Sequence, residues 1–360
     1  MRRIFLPLLL MLAAANIRAA DIKVLLAEPR SSIEIRASGP FTVLDLGDNK
    51  KYKITKGGSF KISKHDKTLH TGSVKTDKGA QIMLADSSDH FTVNSAQYRG
   101  PLVVKQSSNG IYIIEVVQLE DYLQGVLPYE MSHSWPLEAL KAQAVAARTY
   151  TLKVLPSRKK RDFDLYSDVR DQMYKGSVKI YDSVKKAVNG TKGEVLLFKG
   201  ELFHTFYHAN CGGHTNGAVA DVKPLSGAKC GYCESGNGYK WEKTLSKEAV
   251  NNYLKKNNIA GTFKSMKVGK KAAGGRAETL VLTTTKQTKE VNCNAFRLAV
   301  GSTTMKSCLI TKINGLKLQG RGYGHGKGLC QEGAKGMAQA GKDYRDILDN
   351  YYPGSKINKI

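Results

Sequence analysis

The sequence predicts an α+β fold, with a β-rich N-terminal part followed by a mixed helix-and-strand core that holds a cysteine-containing loop region. Three observations predict it. Between residues 22 and 117, apolar residues alternate or cluster in short runs bounded by turn signals, as strands do. From Leu119 the apolar spacing changes to the helical period. Residues 212–245 are rich in Gly, Cys and Asn and have no periodicity. At 360 residues, 41% apolar and 24% charged, the chain is long enough for two domains, or one large domain with a subdomain, and can bury a sizeable core.

The first twenty residues stand apart. Arg2 and Arg3 precede an apolar run from Ile4 to Ala15, and small residues follow at Ala19 and Ala20. This is the layout of a secretory signal peptide, and the run is shorter than the ~20 residues a bilayer crossing needs. An uncleaved anchor is the alternative. No cysteine lies nearby to take a lipid, and no later stretch is apolar enough to span a membrane. The expectation is a soluble exported protein divided into residues 1–20 (signal peptide), 21–100 (β-rich region) and 101–360 (core).

Within the β-rich part, Ile33-Glu34-Ile35-Arg36 and Phe41 to Leu46 read as strands. Pro101 to Lys105 and Ile111 to Val117 flank Ser107-Ser108-Asn109-Gly110, a hairpin turn. Leu119, Tyr122, Leu123, Val126 and Leu127 predict a helix that Pro128 should stop. Ser134 is placed to cap a second helix, with Pro136 in its first turn and an Ala-rich apolar face running to Tyr150. Residues 156–175, with the run Arg158-Lys159-Lys160-Arg161, read as a solvated loop. Residues 193–207 return to strand character. Asp343 caps a last helix whose Tyr344, Ile347, Leu348 and Tyr351 share one face.

The net charge is +25, and removing residues 1–20 takes away Arg2, Arg3, Arg18 and no acid, leaving +22. Nucleic acid, an anionic membrane surface and an anionic wall polymer are all admissible partners for such a chain. Nucleic acid is disfavoured by the export signal and by the lack of a basic patch interleaved with aromatics. The 35 Gly with only 9 Pro exclude collagen-like and Pro-rich classes.

All six cysteines lie at or after residue 211, which is not the spread of a disulfide framework. Cys293 and Cys308 are a candidate disulfide outside the cytoplasm. Cys230-Gly-Tyr-Cys233 has knuckle spacing, and His208-Ala-Asn-Cys211 supplies another half. His208, Cys211, Cys230 and Cys233 would close a tetrahedral Zn²⁺ site of structural type. His214 is an alternative to His208, and a Cys230–Cys233 redox pair or disulfide is the competing reading. The chain has no HExxH, which disfavours a zincin-type hydrolase. In Gly320-Arg-Gly322-Tyr-Gly324-His-Gly326-Lys-Gly328 the glycines recur at every second position. An extended chain would put them all on one face, open to close approach by a backbone or a glycan.

Three segments together resemble the stage II sporulation protein D (SpoIID/LytB) family. They are LEDYLQGVLPYEMSHSWPLEALKAQAVAARTY from Leu119 to Tyr150, FYHANCGGHT from Phe206 to Thr215, and GRGYGHGKGLCQEGAKGMAQAGKDYRDILDNYYPG from Gly320 to Gly354. The resemblance spans roughly residues 100–360. It implies a SpoIID-like catalytic core that acts outside the cytoplasm on peptidoglycan. The implied activity is lytic transglycosylation, cleaving the MurNAc–GlcNAc β-1,4 bond to a 1,6-anhydro end, with preference for glycan already stripped of stem peptides. It also implies stimulation of an N-acetylmuramoyl-L-alanine amidase, the source of the label "amidase enhancer". Some relatives bind zinc through Cys and His in the middle segment, and others lack those cysteines.

The resemblance places the catalytic acid/base on Glu130, in the Glu-Met pair that follows Pro128-Tyr129. A lytic transglycosylase manages with one carboxyl because the sugar's own C6 hydroxyl attacks, so that carboxyl must be protonated near neutral pH and therefore desolvated. Lys141 and Arg148 match basic positions of the motif and share a helix face. Arg148 would bind a substrate carbonyl or carboxylate, or hold the active-site fold. His325, Gln331 and Tyr323 are the candidates to line the cleft, with a structural histidine as the alternative for His325. Two rival readings stand beside this one, a non-catalytic module that binds peptidoglycan and activates an amidase, and a zinc amidase with an open metal site.

Overall fold

A computed structural model describes residues 21–66, 68–217 and 221–360; the predicted signal segment lies outside the described residues. The fold is α+β. Two sheets make up the N-terminal part. The seven-stranded sheet runs in the spatial order 165–166, 21–30, 110–118, 102–107, 80–84, 41–45, 51–54, and the six-stranded sheet in the order 96–98, 91–93, 32–37, 58–65, 68–71, 74–76. Alternation of burial along the strands is clear where the sequence alternates: Ile33, Ile35 and Ala37 are buried between exposed Glu34 and Arg36. The predicted hairpin is present, with Ser107 opposite Gly110.

Helix α1 (Leu119–Glu130) leaves the end of strand 110–118 directly. Pro128 does not stop it. A proline so near the C-terminus forfeits only one i→i−4 bond, and the Met131 N–H still reaches the Leu127 carbonyl at 2.9 Å, closing the last turn. Glu130 is therefore the final residue of α1, not part of a linker. Helix α2 (Leu137–Val154) starts after Pro136 without a side-chain cap; the Ser134 hydroxyl lies instead 2.9 Å from that of Ser132. The predicted small-residue face is real: Ala139, Ala142, Ala144, Ala146 and Ala147 are fully buried. It lets α2 approach α3 (Asp182–Gly190) and strand 194–198 closely, making α2 the axis of the core.

Residues 241–318 contain their own hydrophobic cluster, built on Trp241, Leu254, Leu280, Phe296 and Leu318. Helices α4 (Lys247–Lys256) and α5 (Cys293–Val300) pack there on two three-stranded sheets, and a Cys293–Cys308 disulfide fastens the start of α5. The chain then returns to the main core through α6 (Gln331–Gln339) and α7 (Tyr344–Tyr351), both packed on α2. Asp343 caps α7 as predicted, its carboxylate accepting from the Arg345 and Asp346 amides at 2.9 Å.

The alternating-glycine segment is not extended. Gly322, Gly324, Gly326 and Gly328 all take positive φ, +80°, +107°, +80° and +63°. Each second residue turns the chain through a conformation only glycine adopts cheaply, so the simple two-face alternation does not form. The close approach does occur: a Cβ on Gly328 would stand 2.0 Å from the Phe206 carbonyl oxygen. That contact seats the parallel pairing of Tyr207 with Leu329 and of His208 with Cys330. Among the described residues no helix is long and apolar enough to cross a membrane.

Candidate active site

Glu130 is half-buried at the C-terminus of α1, where three parts of the chain meet. Its Oε1 accepts a 2.9 Å hydrogen bond from the Met173 amide, and its Oε2 faces the Gln331 amide Nε2 at 3.5 Å. Gln331 opens α6 and also donates to Gln143 Oε1 on α2 at 3.4 Å. Burial pushes the Glu130 carboxyl up to about 7, outweighing the two hydrogen bonds that favour its anion. Near neutral pH such a carboxyl is populated in both protonation states, the requirement for a group that gives and takes a proton.

The wall behind it is aromatic and locked. Tyr207 donates to Gln172 Oε1 at 2.9 Å, and Gln172 Nε2 donates to Thr151 at 2.7 Å and to the Tyr122 hydroxyl at 3.3 Å. On either side of Glu130 in the chain, Tyr129 is exposed beside the Lys175 ammonium, and Trp135 is half-exposed beside that of Lys335. A desolvated acid backed by tyrosines, with the accessible rings of Tyr129 and Trp135 close to it in the chain, suits a ligand with both apolar ring faces and hydroxyls.

Of the predicted cleft residues, Gln331 touches Glu130. Arg148 does not: it is fully buried, its Nε and Nη2 grip both Glu120 carboxylate oxygens at 2.9 and 2.7 Å, and Nη1 donates to the Glu194 carbonyl at 2.9 Å. This corrects a substrate-binding role; Arg148 ties α2 to α1 and to strand 194–198, the fold-holding alternative. Lys141 is likewise turned away, paired with Glu138 at 2.7 Å and set against the Tyr344 ring at the start of α7. Tyr323 bonds through its backbone to Asn210 and stacks with Lys306. His325 lies across from Phe206 on a separate pocket, and burial holds its imidazole down to about 3.

The cysteine cluster that could hold a metal also differs in one member from the set expected. Cys211, Cys230, Cys233 and Cys330 are all buried and free, and their sulfurs lie within 4.8 Å of one another. The fourth donor is thus Cys330, brought in by the pairing of strand 329–330 with 207–208. That pairing turns His208 out of the cluster: its Nδ1 lies 3.0 Å from the Lys327 carbonyl, and its Nε2 has no partner. His214 Nδ1 lies against the Thr215 carbonyl, so it is not the substitute either. Cys230 and Cys233 are not disulfide-bonded.

The donor set fits a metal ion. Sulfurs at ~2.3 Å from a tetrahedral centre stand about 3.8 Å apart, and the Cys211–Cys233 separation is 3.5 Å. Cys330 Sγ accepts from the Cys211 amide at 3.1 Å and from the Gly333 amide at 3.3 Å, capping α6; these two bonds suit the thiolate a metal would bind, while burial raises the metal-free thiol well above its ordinary range. With four sulfurs, no coordination position remains for water.

Met173 and Gln172 lie outside the family segments and carried no signal; Gln143 and Tyr207 lie inside them, but their residue types alone did not mark them as site residues. Cys330 had a signal: once Cys293 pairs with Cys308, four cysteines remain for one site.

Comparison with known proteins agrees with this architecture. Residues 107–198, which include Glu130, match the family model described as stage II sporulation protein, and residues 222–328 match a domain of unknown function, DUF8618. An uncharacterized protein of Brachyspira hyodysenteriae is 37% identical over 281 residues, 76% of this chain and 75% of that protein. The amidase enhancer of Bacillus subtilis is 30% identical over 292 residues, 65% of this chain and 40% of that protein. The stage II sporulation protein D of Bacillus amyloliquefaciens is 25% identical over 329 residues, 86% of this chain and 89% of that protein. With the Glu130 segment inside the matched region and relatives of that name aligned along most of its length, this chain belongs to the stage II sporulation protein D family.

Proposed function

We propose that this protein is an exported peptidoglycan lytic transglycosylase in which Glu130 is the single general acid/base. The observation behind this reading is a glutamic acid raised to about 7 whose carboxyl is bonded to amides and backed by tyrosines, with no carboxylate bonded to it among the described residues. Glycosidases that use water or a covalent intermediate need two carboxyl groups. A transglycosylase needs one. Protonated Glu130 gives its proton to the glycosidic oxygen as the bond from the MurNAc anomeric carbon breaks. The C6 hydroxyl of the same sugar forms the new bond to that carbon and returns its proton to Glu130, so no water is consumed. Met173 and Gln331 fix the carboxyl's orientation, and Tyr129 and Trp135 offer ring faces to the neighbouring sugars. Zinc held by Cys211, Cys230, Cys233 and Cys330 would supply folding energy, with no part in the chemistry.

A second reading, activation of an N-acetylmuramoyl-L-alanine amidase without glycan cleavage, is favoured by the name of the Bacillus subtilis relative. Mass spectrometry of sugar products from intact and amidase-stripped peptidoglycan separates the two. Anhydro-muramyl ends from wild type and none from Glu130→Gln support the transglycosylase. Amidase stimulation undiminished in Glu130→Gln, with no glycan product from either protein, selects the second reading. Hydrated reducing ends would mean hydrolysis and exclude both.

A further inference from the structure

A pocket of about 690 Å³ opens between the main core and the lobe of residues 241–318. Phe206, Asn216, His325 and Lys327 line it from the core, and Lys270 and Arg276 from the lobe. None of these is among the groups bonded to Glu130.

Arg276 is the unusual member. It is 2% exposed, and one nitrogen, Nη2, donates to the Cys211 carbonyl at 2.6 Å. Its Nε and Nη1 are buried and have no partner, and the Asn216 side-chain oxygen in the same wall has none either. The guanidinium reaches this position because Gly326 has no side chain: a Cβ there would come within 2.1 Å of Nε. The cysteine cluster behind Arg276 offsets part of its charge, but the two buried N–H donors without an acceptor are costly until something accepts from them. The pocket holds three cations, Lys270, Arg276 and Lys327, against one acid, Glu278, while burial keeps His325 neutral.

We propose that this pocket is a second binding site that takes a carboxylate, with Arg276 as the buried donor and Lys327 and Lys270 at the rim. The source of that carboxylate rests on the reading of the protein as a peptidoglycan enzyme. Wall glycan offers two, the lactyl carboxylate of muramic acid, which is free only after a stem peptide has been removed, and the terminal carboxylate of a stem peptide itself. Reading the first would let the lobe select stripped glycan.

The test is calorimetric titration of the full chain carrying Glu130→Gln, which prevents turnover, with N-acetylmuramic acid, D-alanyl-D-alanine and N-acetylglucosamine. The expected result is binding of at least one of the two carboxylates and none of N-acetylglucosamine; which one binds identifies the source. Lys327→Gln with Lys270→Gln should weaken that binding about two- to fivefold for each rim charge. Arg276→Gln should weaken it about tenfold or more. Because Arg276 also holds the Cys211 carbonyl, the lysine double variant decides if Arg276→Gln fails to fold. Binding of neither carboxylate, or binding unchanged by the lysine substitutions, overturns the proposal. Either failure leaves glycan cleavage by the wild type untouched, so the two readings fail separately.

Discussion

Met173 lies 43 residues beyond Glu130 in the chain, yet its amide N–H donates to Glu130 Oε1 at 2.9 Å. The segment that delivers it, from Arg158 to Gly176, is charged and nearly without regular structure. It is nonetheless fixed, by the Arg158–Asp171 pair at 2.6 Å, the Tyr150–Asp171 bond at 2.9 Å and buried Gln172. A loop that reads as a solvated charge run thus supplies one of the two donors that orient the carboxyl.

The raised Glu130 carboxyl makes stability depend on pH. Its folded value is about 7 against an ordinary 4.5, so the protonated form is favoured by folding. Its stabilising contribution is full below about 4.5 and is lost as pH rises through about 7. Thermal melts across pH should show wild type losing stability relative to Glu130→Gln over that window, by at most on the order of 3 kcal/mol. Glu115, also raised to about 7 by burial, is common to both proteins and cancels. Parallel curves would show that Glu130 does not titrate there.

Gln331 donates to the Glu130 anion, so replacing it should disfavour that anion. In Gln331→Leu, the alkaline limb of the pH profile for glycan cleavage should move to higher pH, because the acid stays protonated longer. A profile that drops in height without moving would assign Gln331 to substrate binding alone.

Metal content distinguishes the two ligand sets. Cys330→Ser should lose bound metal and melt about 5 °C lower, as expected for a few kcal/mol lost from a chain of this size. His208→Ala should keep its metal, measured by atomic emission on purified protein. Retention in the first variant with loss in the second would restore the histidine as ligand.

Arg148 should be a stability residue. Arg148→Met leaves Glu120, part-exposed, with only the Gly193 amide at 3.4 Å and should cost about 1–3 kcal/mol, read by chemical denaturation. Replacing both, Arg148→Met with Glu120→Leu, should recover most of that loss, and the pH profile of cleavage should be unchanged. An undiminished melting temperature together with lost cleavage would place Arg148 at the substrate instead.

Gly328 takes φ of +63° with its Cα against the Phe206 carbonyl. Gly328→Ala should cost more than about 2 kcal/mol through strain and steric overlap. Metal affinity should fall with it, because the same strand pair carries Cys330; a variant with normal stability and metal content would contradict the close approach.

Much of the fold was legible because local rules govern it. Ile33, Ile35 and Ala37 alternate, the Ala face of α2 is buried, and Asp343 caps α7, each a relation among residues a few positions apart. Pro128 and Ser134 misled because a proline near a helix end and an unused cap are decided by the surrounding packing. The glycine repeat misled because φ is not written in residue spacing.

The sequence by itself determined the strand-then-helix order, the cysteine knuckle and the placing of Glu130 in a family motif, since spacing and residue type suffice for these. Only the tertiary structure decided that Cys330 joins Cys211 across 119 residues, that Gln331 meets Glu130 across 201, and that Arg148 spends its guanidinium inside the core. The physical reason is range. Backbone preference and side-chain periodicity act over a few residues, while a carboxyl's proton affinity and a metal's ligand set depend on what packing brings within a few ångströms from distant parts of the chain.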